Sequence, residues 1–132
     1  MAVSGGAWTT HSGVTGQIGV VSGRVDLRVP DTEDVNALVL GTYPATSGTV
    51  LYASFTVHFT ALPSADGQFF AHFKNATASN FRARVFALTS GAGAGQFRIG
   101  IANTSTSATV TNAASLNLHT DYRFISVTVS AM

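Results

Sequence analysis

The clearest pattern in the chain is the run TVLYASFTVHFT at residues 49–60, in which apolar and polar residues alternate. In an extended strand successive side chains point to opposite faces. The polar face of this run holds Tyr52, Ser54, Thr56, His58 and Thr60. The apolar face holds Leu51, Ala53, Phe55, Val57 and Phe59. The run therefore predicts a long, half-buried strand, with Leu51, Phe55, Val57 and Phe59 in the core and a wet outer face.

Three later segments continue the pattern. The turn residues of PSADG at 63–67 predict a hairpin, whose return strand covers residues 68–74. This strand places Phe69, Ala71 and Phe73 on one side and Phe70, His72 and Lys74 on the other. The segment 81–88 places Phe81, Ala83, Val85 and Ala87 on one face and Arg82, Arg84 and Phe86 on the opposite face. After a Gly-rich loop at 90–95, residues 97–101 read as a further strand.

Shorter strands are predicted at both ends of the chain. In the first third they cover residues 8–11, 17–21 and 24–29, with a hairpin turn at Ser22-Gly23. The acidic segment at 30–34 lacks the ligand spacing of a calcium loop, so a solvated turn is the better interpretation, and an apolar segment follows at 35–40. Near the other end, segments 105–111 and 122–130 predict strands around a turn-rich connector.

No segment shows helical periodicity, and the strands are separated by about 8 to 12 residues with Gly-rich turns. This spacing predicts an all-β protein, a two-sheet antiparallel sandwich of jelly-roll type. A length of 132 residues fits a single domain over residues 1–132.

Composition excludes several kinds of function. The net charge is +1, from seven Lys or Arg and six Asp or Glu, so no global field attracts nucleic acid or an anionic membrane. Without cysteine the chain cannot form disulfides or thiolate metal sites. No apolar segment approaches the roughly 18 residues of a membrane span, and the start MAVSGGAW does not resemble a signal peptide. We expect no cofactor, no nucleic-acid partner and no membrane insertion.

Residues 51–103, LYASFTVHFTALPSADGQFFAHFKNATASNFRARVFALTSGAGAGQFRIGIAN, together with TEDVNALVLG upstream, resemble lectin-like jelly-roll domains of the concanavalin A and laminin-G class. The resemblance is to versions in large secreted bacterial proteins and spans most of the chain. It implies an extracellular or cell-surface location. Members of the class bind glycans, act in adhesion or, in some branches, hydrolyse polysaccharides, so the resemblance implies the fold more firmly than the function.

The class usually continues beyond a strand like that at 122–130, whereas this sequence stops at Met132. We therefore expect a domain that lacks its last strands and has unpaired sheet edges. Pairing with a second copy would cover those edges, so a homo-oligomer through strand edges is expected.

The sequence gives little support to an enzyme. Polysaccharide hydrolysis needs two carboxyl groups, but the long strands contain none, and Glu33 and Asp34 would point to opposite faces of a strand. No Gly-x-Ser-x-Gly motif is present. His58 and His72 would face each other across the predicted hairpin, but two histidines without a third ligand rarely hold zinc. The protein is expected to be non-catalytic and without a bound metal.

A basic and aromatic set shares the predicted outer face of the long strands. It comprises Tyr52, His58, Phe70, His72, Lys74, Arg82, Arg84 and Arg98, together with Phe86. Aromatic rings stack on sugar rings, and arginine binds carboxylate or sulfate through two parallel hydrogen bonds. The alternative is a solvated face on which arginine stems cover apolar surface.

Two functional hypotheses follow from these observations. The first is a non-catalytic glycan-binding or adhesion module that uses this outer face, with an acidic or sulfated polysaccharide as ligand. The second is a structural β-module that assembles through open strand edges and binds no small ligand.

Overall fold

The structure is a computed structural model that describes residues 6–41, 43–44, 48–75 and 80–129, with side chains described up to residue 124. Its strands are β1 (Thr9–Ser12), β2 (Gly19–Val21), β3 (Arg24–Asp26), β4 (Asp34–Asn36), β5 (Val50–His58), β6 (Gln68–Lys74), β7 (Phe81–Leu88), β8 (Gln96–Ala102), β9 (Val110–Thr111), β10 (Leu116–Asn117) and β11 (Asp121–Val129). The described residues contain no helix, and their strands pair antiparallel, which confirms the all-β prediction.

The chain divides into two compact units, Met1–Thr42 and Tyr43–Met132. In the first unit β1 pairs with β4, and β2 pairs with β3. Both residues of the β2–β3 turn have positive φ, 50° at Ser22 and 78° at Gly23. Two positive φ angles are the signature of the tight hairpin turn that matches strand twist, so the predicted hairpin at this position is confirmed. The prediction of one domain over residues 1–132 stays a prediction.

Glu33 is the exception to the predicted solvated turn at 30–34, in which Pro30, Thr32 and Asp34 are exposed. Its side chain is buried and accepts hydrogen bonds from the Thr10 hydroxyl at 2.6 Å and from the backbone amides of Ile18 and Gly16 at 2.7 and 3.0 Å. The Thr10 hydrogen bond, followed by the backbone ones, lowers the pKa of Glu33 to about 2. Its carboxylate thus ties β1 and the loop before β2 to the segment that leads into β4.

The apolar segment at 35–40 lies mostly outside the strands. Only Asp34–Asn36 is paired, and the side chains of Leu38 and Leu40 are 93% and 88% exposed. Residues 37–41 are therefore an exposed connection after β4.

The second unit has two layers. One is a five-stranded sheet in the order β10-β8-β7-β6, with β9 also paired to β8. The other consists of β5 and β11 alone, which we call the ribbon, and these strands pair without interruption from Val50 opposite Val129 to His58 opposite Asp121. The predicted hairpin between residues 49–60 and 68–74 is therefore wrong, because β5 pairs with β11 and β6 pairs with β7.

The PSADG segment forms a turn, but the turn contacts the end of β7. The amides of Thr89 and Ser90 donate to the carbonyls of Ser64 and Ala65 at 3.2 and 3.1 Å. Gly67, with a φ of 77°, lies so close to this end that an added Cβ would come within 2.8 Å of the Ala87 carbonyl oxygen. The predicted turn at 63–67 is therefore present. Tertiary packing determines which strand it contacts, and that strand is β7.

The main core lies between the two layers. Val85, Ala87, Phe97 and Ile99 are buried on one face of the sheet, and Phe55, Phe59 and Phe124 of the ribbon side pack against them. The rings of Phe59 and Phe97 are 4.6 Å apart. Leu51, Phe55 and Phe59 are therefore confirmed as inward-facing residues, and Val57 is half-buried.

Two bulges change the alternation in β6 and β7. Phe69 lies opposite Phe86 and Ala71 opposite Val85, so Phe70 is an extra residue in β6. Phe73 lies opposite Arg82, so two residues of β7, Ala83 and Arg84, oppose His72 alone. Ala83 has a φ of 49°, a left-handed conformation that is common in bulges. Each bulge moves the side chains beyond it to the other face of the sheet.

Candidate functional site

The eight predicted site residues do not share one face. Tyr52 and His58 lie on the ribbon, whereas the other six lie on the sheet formed by β6, β7 and β8. The ribbon and the sheet pack through their apolar faces, so their outer faces look away from each other. The predicted single basic and aromatic surface is therefore wrong as a geometric arrangement.

Phe70 belongs to the interior and is a correction to the prediction. Its ring meets Phe55 at 6.0 Å and Phe59 at 5.7 Å, both in edge-to-face geometry. The bulge in β6 turns this ring from the outer face into the layer that the ribbon covers.

Arg84 and Phe86 are also corrections, because both are buried, at 8% and 0% exposure. The Arg84 guanidinium lies 5.2 Å from the ring centroids of both Phe69 and Phe81. Its Nη1 donates to the carbonyl oxygens of Thr104, at 2.8 Å, and Ser105. The guanidinium therefore fastens the loop after β8 to the sheet and is not available to a polymer in solvent.

His72 packs into the same cluster. Its ring lies 4.2 Å from that of Phe81 and 5.4 Å from that of Phe69. Phe81 reaches this face because of the bulge at Ala83, although the alternation had placed it in the opposite core. The cluster of Phe69, His72, Phe81, Arg84 and Phe86 is thus a second small core on the far side of the sheet.

The three remaining basic residues, Lys74, Arg82 and Arg98, are half-buried. Arg98 donates to the Ala113 carbonyl at 2.9 Å, and Arg82 donates to the Phe81 carbonyl at 3.0 Å. Lys74 lies at the end of β6, opposite Phe81. These residues do not form one cationic surface with Tyr52 and His58.

The possible metal pair of His58 and His72 is wrong in its geometry, since the two residues lie on different layers. His58 instead contacts Asp121, and its ring is 6.2 Å from that of His119. Among the described residues no group of three or more His, Cys, Asp or Glu side chains could hold a metal ion.

Tyr52 and His58 lie on the outer face of the ribbon, which we call the ribbon face. Its members are the exposed, outward residues Tyr52, Ser54, Thr56, His58, Asp121 and Arg123. They alternate with inward residues of both strands, so the uninterrupted register aligns them in two adjacent rows. Among these residues Tyr52 offers a large ring to solvent, at 69% exposure.

Hydrogen bonds across the ribbon hold the polar groups of this face in place. His58 Nδ1 and Asp121 Oδ1 are 2.7 Å apart, directly opposite in the register. Arg123 lies opposite Thr56, and its Nε donates to the Ser54 hydroxyl at 3.3 Å, which brings the guanidinium toward Tyr52. The face therefore presents an aromatic ring, a guanidinium, an imidazole–carboxylate pair and two hydroxyls.

Sequence reasoning missed Asp121 and Arg123. The alternation of segment 122–130 did separate Arg123 from Tyr122 and Phe124, but it gave no information on the partner strand. The two strands are more than sixty residues apart in sequence, as the His58–Asp121 separation of 63 shows. No local pattern in either strand identified the other as its partner.

Comparison with family models, curated proteins and solved structures gives no match to this chain. Within the described residues there is no helix of the length and apolarity that a membrane crossing requires.

Proposed function

We propose that this protein is a non-catalytic glycan-binding or adhesion module, and that the ribbon face is its binding surface. The observation that carries the proposal is the position of Tyr52, solvent-exposed and in the same face as Arg123 and the His58–Asp121 pair. The two-layer packing of the second unit supports a jelly-roll sandwich of lectin-like type. The proposed location is extracellular or at the cell surface.

The chemistry of the ribbon face suits a sugar polymer. An exposed tyrosine ring offers an apolar plane for a sugar ring while its hydroxyl stays in water. Hydroxyl, imidazole and carboxylate groups further along the same face provide both donors and acceptors for sugar hydroxyls. The planar guanidinium of Arg123 adds parallel N–H donors whose spacing matches two oxygens of a carboxylate or sulfate group. An acidic or sulfated polysaccharide is therefore the proposed ligand class.

The same face is poorly equipped for hydrolysis. Glycoside hydrolysis uses two carboxyl groups about 5 to 9.5 Å apart. Among the residues that define the ribbon face, Asp121 is the single carboxylate, and it is paired with His58. The surface therefore favours binding over turnover.

A glycan array that includes uronates and sulfated polymers tests the proposal with Tyr52→Ala and Arg123→Ala. We expect Tyr52→Ala to weaken binding to every ligand about tenfold, a loss of about 1.4 kcal/mol. Arg123→Ala should weaken binding to acidic ligands selectively and should reduce the dependence of affinity on salt.

Arg28→Ala is the matched control, because Arg28 is also an exposed arginine hydrogen-bonded to a side-chain oxygen, that of Asp26 at 2.7 Å, and lies in the other unit. Glycan binding that is equal in Arg123→Ala and Arg28→Ala, or unchanged in Tyr52→Ala, would reject the ribbon face. Arg84→Ala is unsuitable as a probe, since loss of a buried side chain disturbs folding.

A second candidate function is a structural β-module that assembles through strand edges and binds no small ligand. The pairing of β5 favours it, because this long strand pairs in the described chain with β11 alone. Absence of glycan binding together with concentration-dependent association would support this function over the first.

A further inference from the structure

The second edge of β5 is unpaired in the described chain. β5 pairs on one side with β11 over all nine of its residues, and in the described chain no other strand pairs with it. About half of the backbone amides and carbonyls of a strand point to each side. The second side of β5 therefore presents a row of donors and acceptors without protein partners in the part of the chain that the structure describes.

The sequence of β5 lacks the features that protect edges. VLYASFTVH contains no proline, no glycine and no Asp, Glu, Lys or Arg, and its register carries no bulge. The edge strand of the other layer, β6, is different, because it has an extra residue at Phe70 and ends at Lys74. Bulges and lysines on edges prevent a further strand from adding, so β6 is protected and β5 is open.

A second copy of β5 is the occupant that fits this edge. Antiparallel pairing about a twofold axis at Ser54 overlaps all nine residues, with Val50 opposite His58 of the other copy. In this register residues of the same face meet, since Leu51 lies opposite Val57 and Ala53 opposite Phe55. Apolar residues therefore continue the inner face, and no two like charges are opposed.

We propose that two copies of this chain associate through β5, forming a four-stranded layer in the order β11-β5-β5-β11. A two-stranded ribbon is marginal by itself, and four strands with a common apolar face are stable. This dimer specifies the partner and the strand register for the second candidate function, self-assembly through strand edges. It does not depend on glycan binding. It also places two ribbon faces side by side, so that a polymer could contact both at once.

Charge substitutions at Ser54 test this arrangement, because Ser54 faces its own copy at the axis. Light scattering over a concentration series should show that the wild-type protein dimerises. Ser54→Lys alone and Ser54→Glu alone should each raise the dissociation constant at least about tenfold, since like charges then oppose each other at the axis. An equimolar mixture of the two variants should recover the dimer as a heterodimer.

The matched controls are Ser90→Lys and Ser90→Glu, in the exposed turn after β7. These should leave the dissociation constant unchanged, and circular dichroism should show all four variants folded. A monomeric wild-type protein at high concentration would overturn both the β5 dimer and the self-assembly function. Association that is insensitive to charge at Ser54 would overturn the β5 dimer and leave self-assembly through another edge.

Discussion

At the scale of single residues, Glu33 and Arg84 are the buried charged side chains of the described chain, and each connects separate segments. Glu33 is fully satisfied by one hydroxyl and two backbone amides, whereas Arg84 has two carbonyl acceptors and two aromatic faces but an Nε without an acceptor. A buried charge is tolerated when its surroundings replace the lost hydration. In both cases backbone groups of a loop provide hydrogen bonds, so each buried charge fixes a loop to a strand.

We predict that Glu33→Gln lowers the free energy of unfolding of the first unit at neutral pH. A glutamine cannot accept with both terminal atoms, because its amide group would face the backbone amides of Gly16 and Ile18 or the Thr10 hydroxyl. Chemical denaturation followed by the fluorescence of Trp8, the single tryptophan of the chain, measures the change.

Glu33 also predicts a pH dependence. Its folded-state pKa of about 2 is below the unfolded value of 4.5, so its contribution is present above about pH 4.5 and is lost as the pH falls toward 2. The stability difference between wild type and Glu33→Gln should therefore shrink over this window. Asp66→Asn, at an exposed position of the other unit, is the control, and an equal pH response of both variants would contradict the role of Glu33.

At the scale of elements, the two bulges decide which side chains reach which face. Without them, strict alternation would place Phe81 in the main core and Phe70 on the outside. With them, Phe70 packs on the ribbon residues Phe55 and Phe59, and Phe81 stacks on His72. A bulge adds a single residue, but every side chain of the strand beyond it then points to the opposite face of the sheet.

We predict that the conformation of Ala83 limits which residues this position accepts. Ala83→Gly should remain within about 1 kcal/mol of wild type, because glycine adopts a positive φ freely but makes the unfolded chain more flexible. Ala83→Val should lose at least about 2 kcal/mol, since a β-branched residue is strained at positive φ. Thermal unfolding compares the two variants, and equal stability of valine and glycine would argue against the bulge.

At the scale of the whole molecule, burial is distributed unevenly between the two units. The fully buried rings, Phe86 and Phe97, lie in β7 and β8 of the second unit. In the described part of the first unit the buried apolar residue is Ile18, while Val14, Val21 and Val25 are exposed. The two parts of the chain should therefore differ in local stability.

We predict that backbone amides of β7 and β8 exchange their hydrogens most slowly and that those of β2 and β3 exchange fastest among the strands. Central strands with two covered faces open only in global unfolding, whereas a two-stranded hairpin with exposed side chains opens locally. Hydrogen exchange read by mass spectrometry on peptides from each strand measures the difference. Protection of β2 and β3 as strong as that of β7 would show that this hairpin has additional cover.

The sequence alone determined the all-β class, the position of most strands, the Ser22-Gly23 turn and the two faces of β5. These properties depend on contacts between near neighbours along the chain, and period-two alternation and turn residues report such contacts directly. The inward positions of Leu51, Phe55 and Phe59 followed for the same reason.

The tertiary structure decided which strands are neighbours, and with this the membership of the candidate site. β5 pairs with β11 because the two apolar faces together cover Phe97 and Ile99, a choice that no local pattern encodes. That pairing placed Arg123 and Asp121 on the same face as Tyr52 and His58, and the bulges removed Phe70 and Arg84 from the solvent face. The alternation of apolar and polar residues predicts which side chains share a face of their own strand. Packing between segments that are distant in sequence decides whether that face contacts solvent or a second core.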